Sequence, residues 1–261
     1  MNKSLSVSMD YSGRIFTKVP EVTVYFWIAK VLTTGMGEVF SDFLAYHINS
    51  FIAVGLGGIG FVASLILQFS VRRYVPWIYW LVVVMVSIFG TMVADAAHIG
   101  LGIPYLVSTI FFVVALAAIF VTWYATDKTL SIHSITTRNR EMFYWATVLA
   151  TFALGTAAGD MTATTMHLGY FSSGVLFTIL LVVPALGYWL FRLNGIFAFW
   201  FAYIMTRPVG ASFSDWISVP HSLGGLGLGK GLVSLILTII IVAIVGYLTV
   251  TGKDVNDELT H

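Results

Sequence analysis

The chain has 261 residues, of which 58% are hydrophobic and 10% charged, with a net charge of +1 and no cysteine. Soluble domains carry about 25% charged residues, so this composition places the chain in the membrane class. The absence of cysteine excludes disulfides and thiolate metal or redox sites, and no basic stripe with interleaved aromatics offers a surface for nucleic acid.

Residues 1–19 are polar and mixed in charge, with no apolar run before Phe16. They do not read as a cleaved signal peptide, and the first apolar segment is expected to serve as the insertion signal. Apolar segments then follow at 21–46, 50–71, 75–98, 102–125, 140–165, 170–191, 195–217 and 230–251. Each has about the 20 residues that a bilayer crossing requires. The predicted fold is therefore all-α, a polytopic membrane protein with eight transmembrane helices.

An aromatic–tryptophan pair opens every odd segment: Phe26-Trp27, Tyr79-Trp80, Tyr144-Trp145 and Phe199-Trp200. Ten residues after each tryptophan stands a glycine, Gly37, Gly90, Gly155 or Gly210, and 15 residues after it an aspartate, Asp42, Asp95, Asp160 or Asp215. The chain is thus four copies of one two-helix unit, at 20–73, 74–137, 138–193 and 194–252, between an N-terminal segment 1–19 and a tail 253–261. An even number of crossings per unit makes the copies parallel, related by an axis along the membrane normal.

Lys3, Arg14, Lys18, Arg72, Arg73, Lys128, Arg138, Arg140, Arg192 and Lys253 all fall in the tails or after even segments, against Lys230 alone after the odd ones. Basic residues stay on the cytoplasmic side, so both termini are expected there.

Four tandem two-helix units, each with a tryptophan near its start, resemble a bacterial family of multi-pass membrane proteins described only by its repeat of unknown function. The resemblance covers roughly residues 20–252. It implies the fold and a place in the bacterial inner membrane, and no activity.

At 100° per residue, positions 7, 11 and 15 after each tryptophan form one stripe of i,i+4 neighbours. The stripe reads Thr34, Glu38, Asp42, then Ser87, Thr91, Asp95, then Phe152, Thr156, Asp160, then Arg207, Ala211, Asp215, with Lys30 extending the first. Polar groups cannot face lipid cheaply, so the stripes are expected to face a shared interior. The hydroxyls can equally be interhelical hydrogen bonds. The glycines lie on another face, where small residues let helices approach closely, and the tryptophans read as structural.

The four aspartates occupy one layer, about 22 Å of helix beyond the tryptophans. Intramembrane carboxylates are costly and usually functional. Glu38 and the four aspartates against Lys30 and Arg207 leave three negative charges if all ionise. Raised protonation, a bound cation, or capping of backbone N–H groups would each answer that imbalance. Lys30 is expected to pair across the interior, with Thr34 and Glu38 above it on its own stripe. Arg207 stands directly before Pro208, where a kink is expected, and compensation of an acid on a neighbouring repeat is its simplest role.

A histidine trails each aspartate: His47, His98, His167 and His221. These read either as interfacial residues or as a carboxylate–imidazole mouth for divalent metal or proton relay. Gly224 to Gly231 lacks the spacing of a phosphate loop and reads as a flexible connection. Gly159-Asp160 lacks the glycine that an intramembrane aspartyl protease would place at Ala157.

The functional expectation is a transporter or exporter of a small solute, an inorganic cation, divalent metals included, exchanged with protons. Its binding residues would be Asp42, Asp95, Asp160, Asp215 and Glu38, with Lys30 and Arg207 tuning charge. A metal ion enters only as substrate, and the expected partners are the lipid bilayer and that ion. The rival readings are a non-transporting sensor, assembly factor or scaffold, and a membrane enzyme using an Asp–His pair.

Overall fold

In the computed structural model residues 17–255 are described, and the expectations placed on residues 1–16 and 256–261 lie outside them. Eight long helices follow one another: α1 (Val24–His47), α2 (Ser50–Ser70), α3 (Pro76–Asp95), α4 (Tyr105–Asp127), α5 (Arg138–Asp160), α6 (Gly169–Phe191), α7 (Gly195–Ser218) and α8 (Lys230–Thr251). Short polar side chains start several of them. The Thr23 hydroxyl accepts from Phe26 N–H, Asn49 from Phe51 N–H, Thr137 from Arg140 N–H, and Asn194 from Ile196 and Phe197 N–H. These caps occupy backbone donors that a helix start leaves free. Lys128, Arg192 and Gly252, all with positive φ, end α4, α6 and α8.

Six helices, α2, α3, α4, α5, α6 and α8, are long and apolar enough to cross a membrane. The other two, α1 and α7, have 24 residues each but do not reach that apolarity. Their shortfall follows from Lys30, Glu38 and Asp42 in α1 and Arg207 and Asp215 in α7.

The odd helices form an inner ring in which α1 packs on α3, α3 on α5, α5 on α7, and α7 on α1. The even helices stand outside it and leave apolar faces exposed, such as Ile52, Leu56, Ile59, Val62 and Ile66 on α2. Within a unit the two helices do not form a packed pair. Each even helix instead lies mainly against the odd helix of the following unit: α2 on α3, α4 on α5, α6 on α7, and α8 on α1. The four parallel two-helix units therefore interlock around a closed cycle. A lone apolar hairpin gains little by self-packing in lipid, whereas handing each outer helix to the next unit links all four.

The described chain begins and ends on one face, called here the terminal face, where the Glu21 N–H donates to the Asp254 carbonyl at 3.0 Å. The segment before α1 crosses that face: Lys18 N–H donates to the Ile135 carbonyl, and the Thr17 carbonyl accepts from Tyr74 N–H. The buried Lys18 ammonium pairs with Glu141, whose other oxygen accepts from the Gln68 amide at 2.9 Å. One acid thus ties the starting segment, α2 and α5 together.

Candidate functional site

The motif glycines set the distances inside the ring. Each one lies against the residue at position 7 of the next unit: Gly37 against Ser87, Gly90 against Phe152, Gly155 against Arg207, and Gly210 against Thr34. A Cβ at Gly90 would stand 2.7 Å from the Phe152 Cβ, and one at Gly210 would stand 2.7 Å from the Val31 carbonyl oxygen. The last contact returns from the fourth unit to the first, so the same packing rule closes the cycle. The aromatic pairs obey it too, one level nearer the terminal face. Phe26 meets Trp80, Tyr79 meets Trp145, Tyr144 meets Trp200 and Phe199 meets Trp27, with ring centroids 5.5–6.2 Å apart. Trp80, Trp145 and Trp200 are buried, while Trp27 is half-buried.

With helices this close, the polar stripes converge. Position 7 of the fourth unit is Arg207, fully buried, and its guanidinium reaches position 11 of the other three units. Nη2 donates to the Glu38 carboxylate, to the Thr91 hydroxyl and, at 2.6 Å, to the Thr156 hydroxyl, while Nη1 donates to the Thr34 carbonyl at 3.1 Å. The hydroxyls are oriented for this. Thr91 gives its own hydrogen to the Ser87 carbonyl and Thr156 gives its hydrogen to the Phe152 carbonyl, leaving oxygen lone pairs for the arginine. Of the other two stripe hydroxyls, Ser87 donates between helices to the Thr33 carbonyl at 2.9 Å, and Thr34 lies 2.6 Å from the Val31 carbonyl of its own helix and 3.1 Å from the Thr206 carbonyl of α7. The helix runs on through Pro208 to Ser218, and Pro208 packs beside Gly155.

Lys30 does not take the acid expected of it. Among the described residues the ion pairs give Glu38 to Arg207, and Lys30 forms none. Its buried ammonium instead lies 3.9 Å from the centroid of the Phe152 ring and 4.1 Å from that of Tyr203. The cause is the third unit, which carries an aromatic ring at position 7 where the first two carry hydroxyls. That ring offers its electron-rich face to the cation on the terminal side, and Arg207 flanks the same ring with its Cζ 5.6 Å from the centroid.

Beyond Arg207, away from the terminal face, lies the acid layer. The carboxylates of Glu38, Asp160 and Asp215 each place an oxygen within 4.8 Å of one another. Asp215 is 5% exposed, and its Oδ1 has no hydrogen-bond partner among the described residues. Asp42 is occupied differently, paired with Lys230 at the start of α8, and Asp95 stands outside the convergent set. The expected layer of four equivalent aspartates is thus divided by role. Capping does not account for Asp95 or Asp160, since neither side chain makes a cap hydrogen bond. Each ends an α-helix and is followed by a π-helical turn, Ala96–Gly100 and Met161–Thr165, a feature frequent at functional sites. Five carboxylates now face three cations, because Lys230, placed by the sequence in a connection, reaches the layer. The remaining excess is two negative charges if all ionise.

None of the four histidines belongs to the convergent acid set among the described residues. His47 and His221 are exposed and bonded locally, to the Phe43 and Gly225 carbonyls at 2.8 Å, and His167 is exposed with φ 57°. His98 stacks on Tyr105. Their irregular spacing after the aspartates puts each on a different local turn, so no common mouth forms. The sequence also gave no weight to the hydroxyls of Tyr79, Tyr144 and Tyr203. Two of these sit directly before motif tryptophans, which is the signal that could have marked them.

A closed ring of four interlocked two-helix units, apolar outside and acid-bearing within, defines a polytopic helical membrane protein built by internal repetition. The Repeat of Unknown Function (DUF347) matches residues 25–74, 78–129, 143–194 and 198–254. The chain belongs to this family. No curated protein and no solved structure matches it.

Proposed function

We propose that this protein carries a small inorganic cation across the membrane in exchange for protons, with all eight helices crossing and both termini in the cytoplasm. The observation that carries this reading is the convergence of Glu38, Asp160 and Asp215 to within 4.8 Å, with a buried oxygen on Asp215 that has no partner among the described residues. Three carboxylates without thiolate or imidazole suit hard divalent ions such as magnesium, calcium or manganese, which take oxygen ligands. α1 and α7 cross as lining helices, their polar stripes turned from lipid toward the ring axis.

The geometry supplies a reason for gating. Arg207 closes the axis directly below the acids and competes with a bound cation for Glu38. A divalent ion held by Glu38, Asp160 and Asp215 weakens the Arg207–Glu38 attraction and favours a state in which the arginine withdraws. That is differential binding between two states, the requirement for ligand-driven movement. Departure of the ion leaves mutually repelling acids, which take up protons.

The reading is tested by flux measurements in proteoliposomes over a series of cations, comparing wild type with Asp160→Asn and Asp95→Asn. The expected result is flux of at least one divalent ion, abolished in Asp160→Asn. Absence of flux for every cation, or flux indifferent to Asp160→Asn, would overturn it.

A further inference from the structure

Below Arg207 the axis of the ring is filled by Phe26, Tyr79, Tyr144, Phe152 and Tyr203, each 0–1% exposed. An ion with ligands around it cannot pass such a layer without displacing the rings, but a proton needs only hydroxyls and amines within reach. The layer contains several, and Tyr144 and Tyr79 are in direct hydrogen-bond contact. Lys30 lies over the face of Tyr203, 4.1 Å from its centroid. The Tyr203 hydroxyl is buried in the same layer, without a hydrogen-bond partner among the described residues. Tyr144 and Tyr79 join their hydroxyls at 2.5 Å. The rings of Tyr79 and Tyr74 have centroids 5.6 Å apart, and the Tyr74 hydroxyl donates to the Asp254 carboxylate on the terminal face. Asp254 sits in the turn after α8, itself 1% exposed, between exposed Lys253 and Val255.

We propose that Lys30, Tyr203, Tyr144, Tyr79, Tyr74 and Asp254 form the proton route between the acid chamber and the terminal face. The inference deepens the exchange reading above and rests on it for its physiological role. Packing alone does not call for these groups. Phenylalanine fills the places equivalent to Tyr79 and Tyr144 at Phe26 and Phe199, and valine those equivalent to Lys30 and Tyr203 at Val83 and Val148, while a buried hydroxyl or ammonium without a full set of partners costs stability. Buried ionisable chains of this kind are the usual mark of proton relays inside membranes.

The transfer balances as follows. Once the Lys30 ammonium has moved from the face of the Tyr203 ring to its hydroxyl, it gives a proton to the Tyr203 oxygen as Tyr203 passes its own to Tyr144. Tyr144 and Tyr79 do the same in turn, and Tyr74 delivers its proton to the Asp254 carboxylate. Lys30 is left as a neutral amine and Asp254 as a neutral acid. Opening of the turn that buries Asp254 lets it release its proton to water at the terminal face, and Lys30 regains one from a protonated acid of the chamber once Arg207 has withdrawn. Each tyrosine ends with one hydroxyl hydrogen, and one proton has crossed the layer. No electron moves, and the reverse sequence carries a proton the other way.

The test uses full-length protein in liposomes containing a pH-sensitive dye, with a potassium–valinomycin potential as driving force, in the presence and absence of Mn2+. Wild type is expected to move protons in at least one of those conditions. Tyr144→Phe and Tyr203→Phe, which remove only a hydroxyl, are expected to lower the initial proton flux by about tenfold or more, in the range of losses when a positioned proton-transfer group is removed. Their Mn2+ binding, read from the electron paramagnetic resonance spectrum, stays unchanged, and so does flux in a Tyr188→Phe control on the outer surface. Wild type that moves no protons in either condition overturns the route, as do tyrosine variants that conduct like wild type. Tyrosine-dependent proton flux without any Mn2+ transport would support the route and count against Mn2+ as the cargo. Mn2+–proton exchange that survives both variants would do the opposite.

Discussion

The Arg207 guanidinium and the Glu38 carboxylate pair across the interface of α7 and α1 with both side chains 1–4% exposed, and the same nitrogen also holds Thr91 and Thr156. One arginine therefore draws on all three other units at the same motif position. The repeats are alike in place and unlike in chemistry, which is how a symmetric ring acquires a single site.

Removing one partner of such a buried pair strands the other charge. Arg207→Met is expected to destabilise the protein by about 3–5 kcal/mol, read as a large fall in melting temperature in detergent. Glu38→Gln together with Arg207→Met should cost less than the two single changes summed, because neither charge is left unpartnered. Additive losses in that double-mutant cycle would show that the pair is not coupled.

Glycine substitutions should separate by position. At Gly155 a Cβ would meet the Arg207 side chain and stand 3.0 Å from Pro208 Cδ, so Gly155→Ala and Gly90→Ala are each expected to cost about 1–3 kcal/mol. Gly55 and Gly246 have no atom within 4 Å of an added Cβ. Alanine there should be neutral or stabilising by up to about 1 kcal/mol. Thermal unfolding of the four variants in one detergent checks the contrast.

The histidines provide a negative control. His47, His167 and His221 are exposed and outside the convergent acids, so the triple alanine variant should retain cation binding and flux within a factor of about two, well short of the 10–100-fold loss expected for removal of a group supporting a metal site. A loss of that larger size would restore the carboxylate–imidazole reading.

At the terminal face, burial raises the Asp254 carboxyl above its ordinary value of 3.8, opposed by the Tyr74 hydrogen bond. A raised folded value means that the neutral acid is the form the fold favours. Its stabilising contribution is complete below 3.8 and is lost as pH rises through the raised range. Melting temperature measured against pH should therefore fall with rising pH by a component that Asp254→Asn removes. Identical pH profiles for the two proteins would show that Asp254 does not contribute.

Much of this was legible in the residues. The 3.6-residue period put Glu38, Thr91 and Thr156 on one stripe with the aspartates, and the glycines on a packing face, because both follow from angles along a single helix. Which helix each glycine meets was not legible, since pairing between helices depends on geometry that no single-helix period encodes. For the same reason the even helices could not be assigned to the following unit. By sequence, Lys30 is expected to pair across the interior, and Lys230 counts only among the connections. The structure sends Lys230 to Asp42 because α8 packs against α1, and leaves Lys30 between two rings because Phe152 occupies the stripe. The three convergent acids come from the first, third and fourth units, a selection that the repeat itself does not predict.

The most direct test of the central claim is equilibrium binding of Mn2+ to the purified protein, followed by electron paramagnetic resonance, for wild type, Asp215→Asn and Asp42→Asn. One bound ion per chain is expected in wild type. Its affinity should fall by about 10-fold or more in Asp215→Asn, as for the loss of a group at a metal site, and change little in Asp42→Asn, whose carboxylate is already held by Lys230. No binding by wild type, or equal affinity in wild type and Asp215→Asn, would contradict the account.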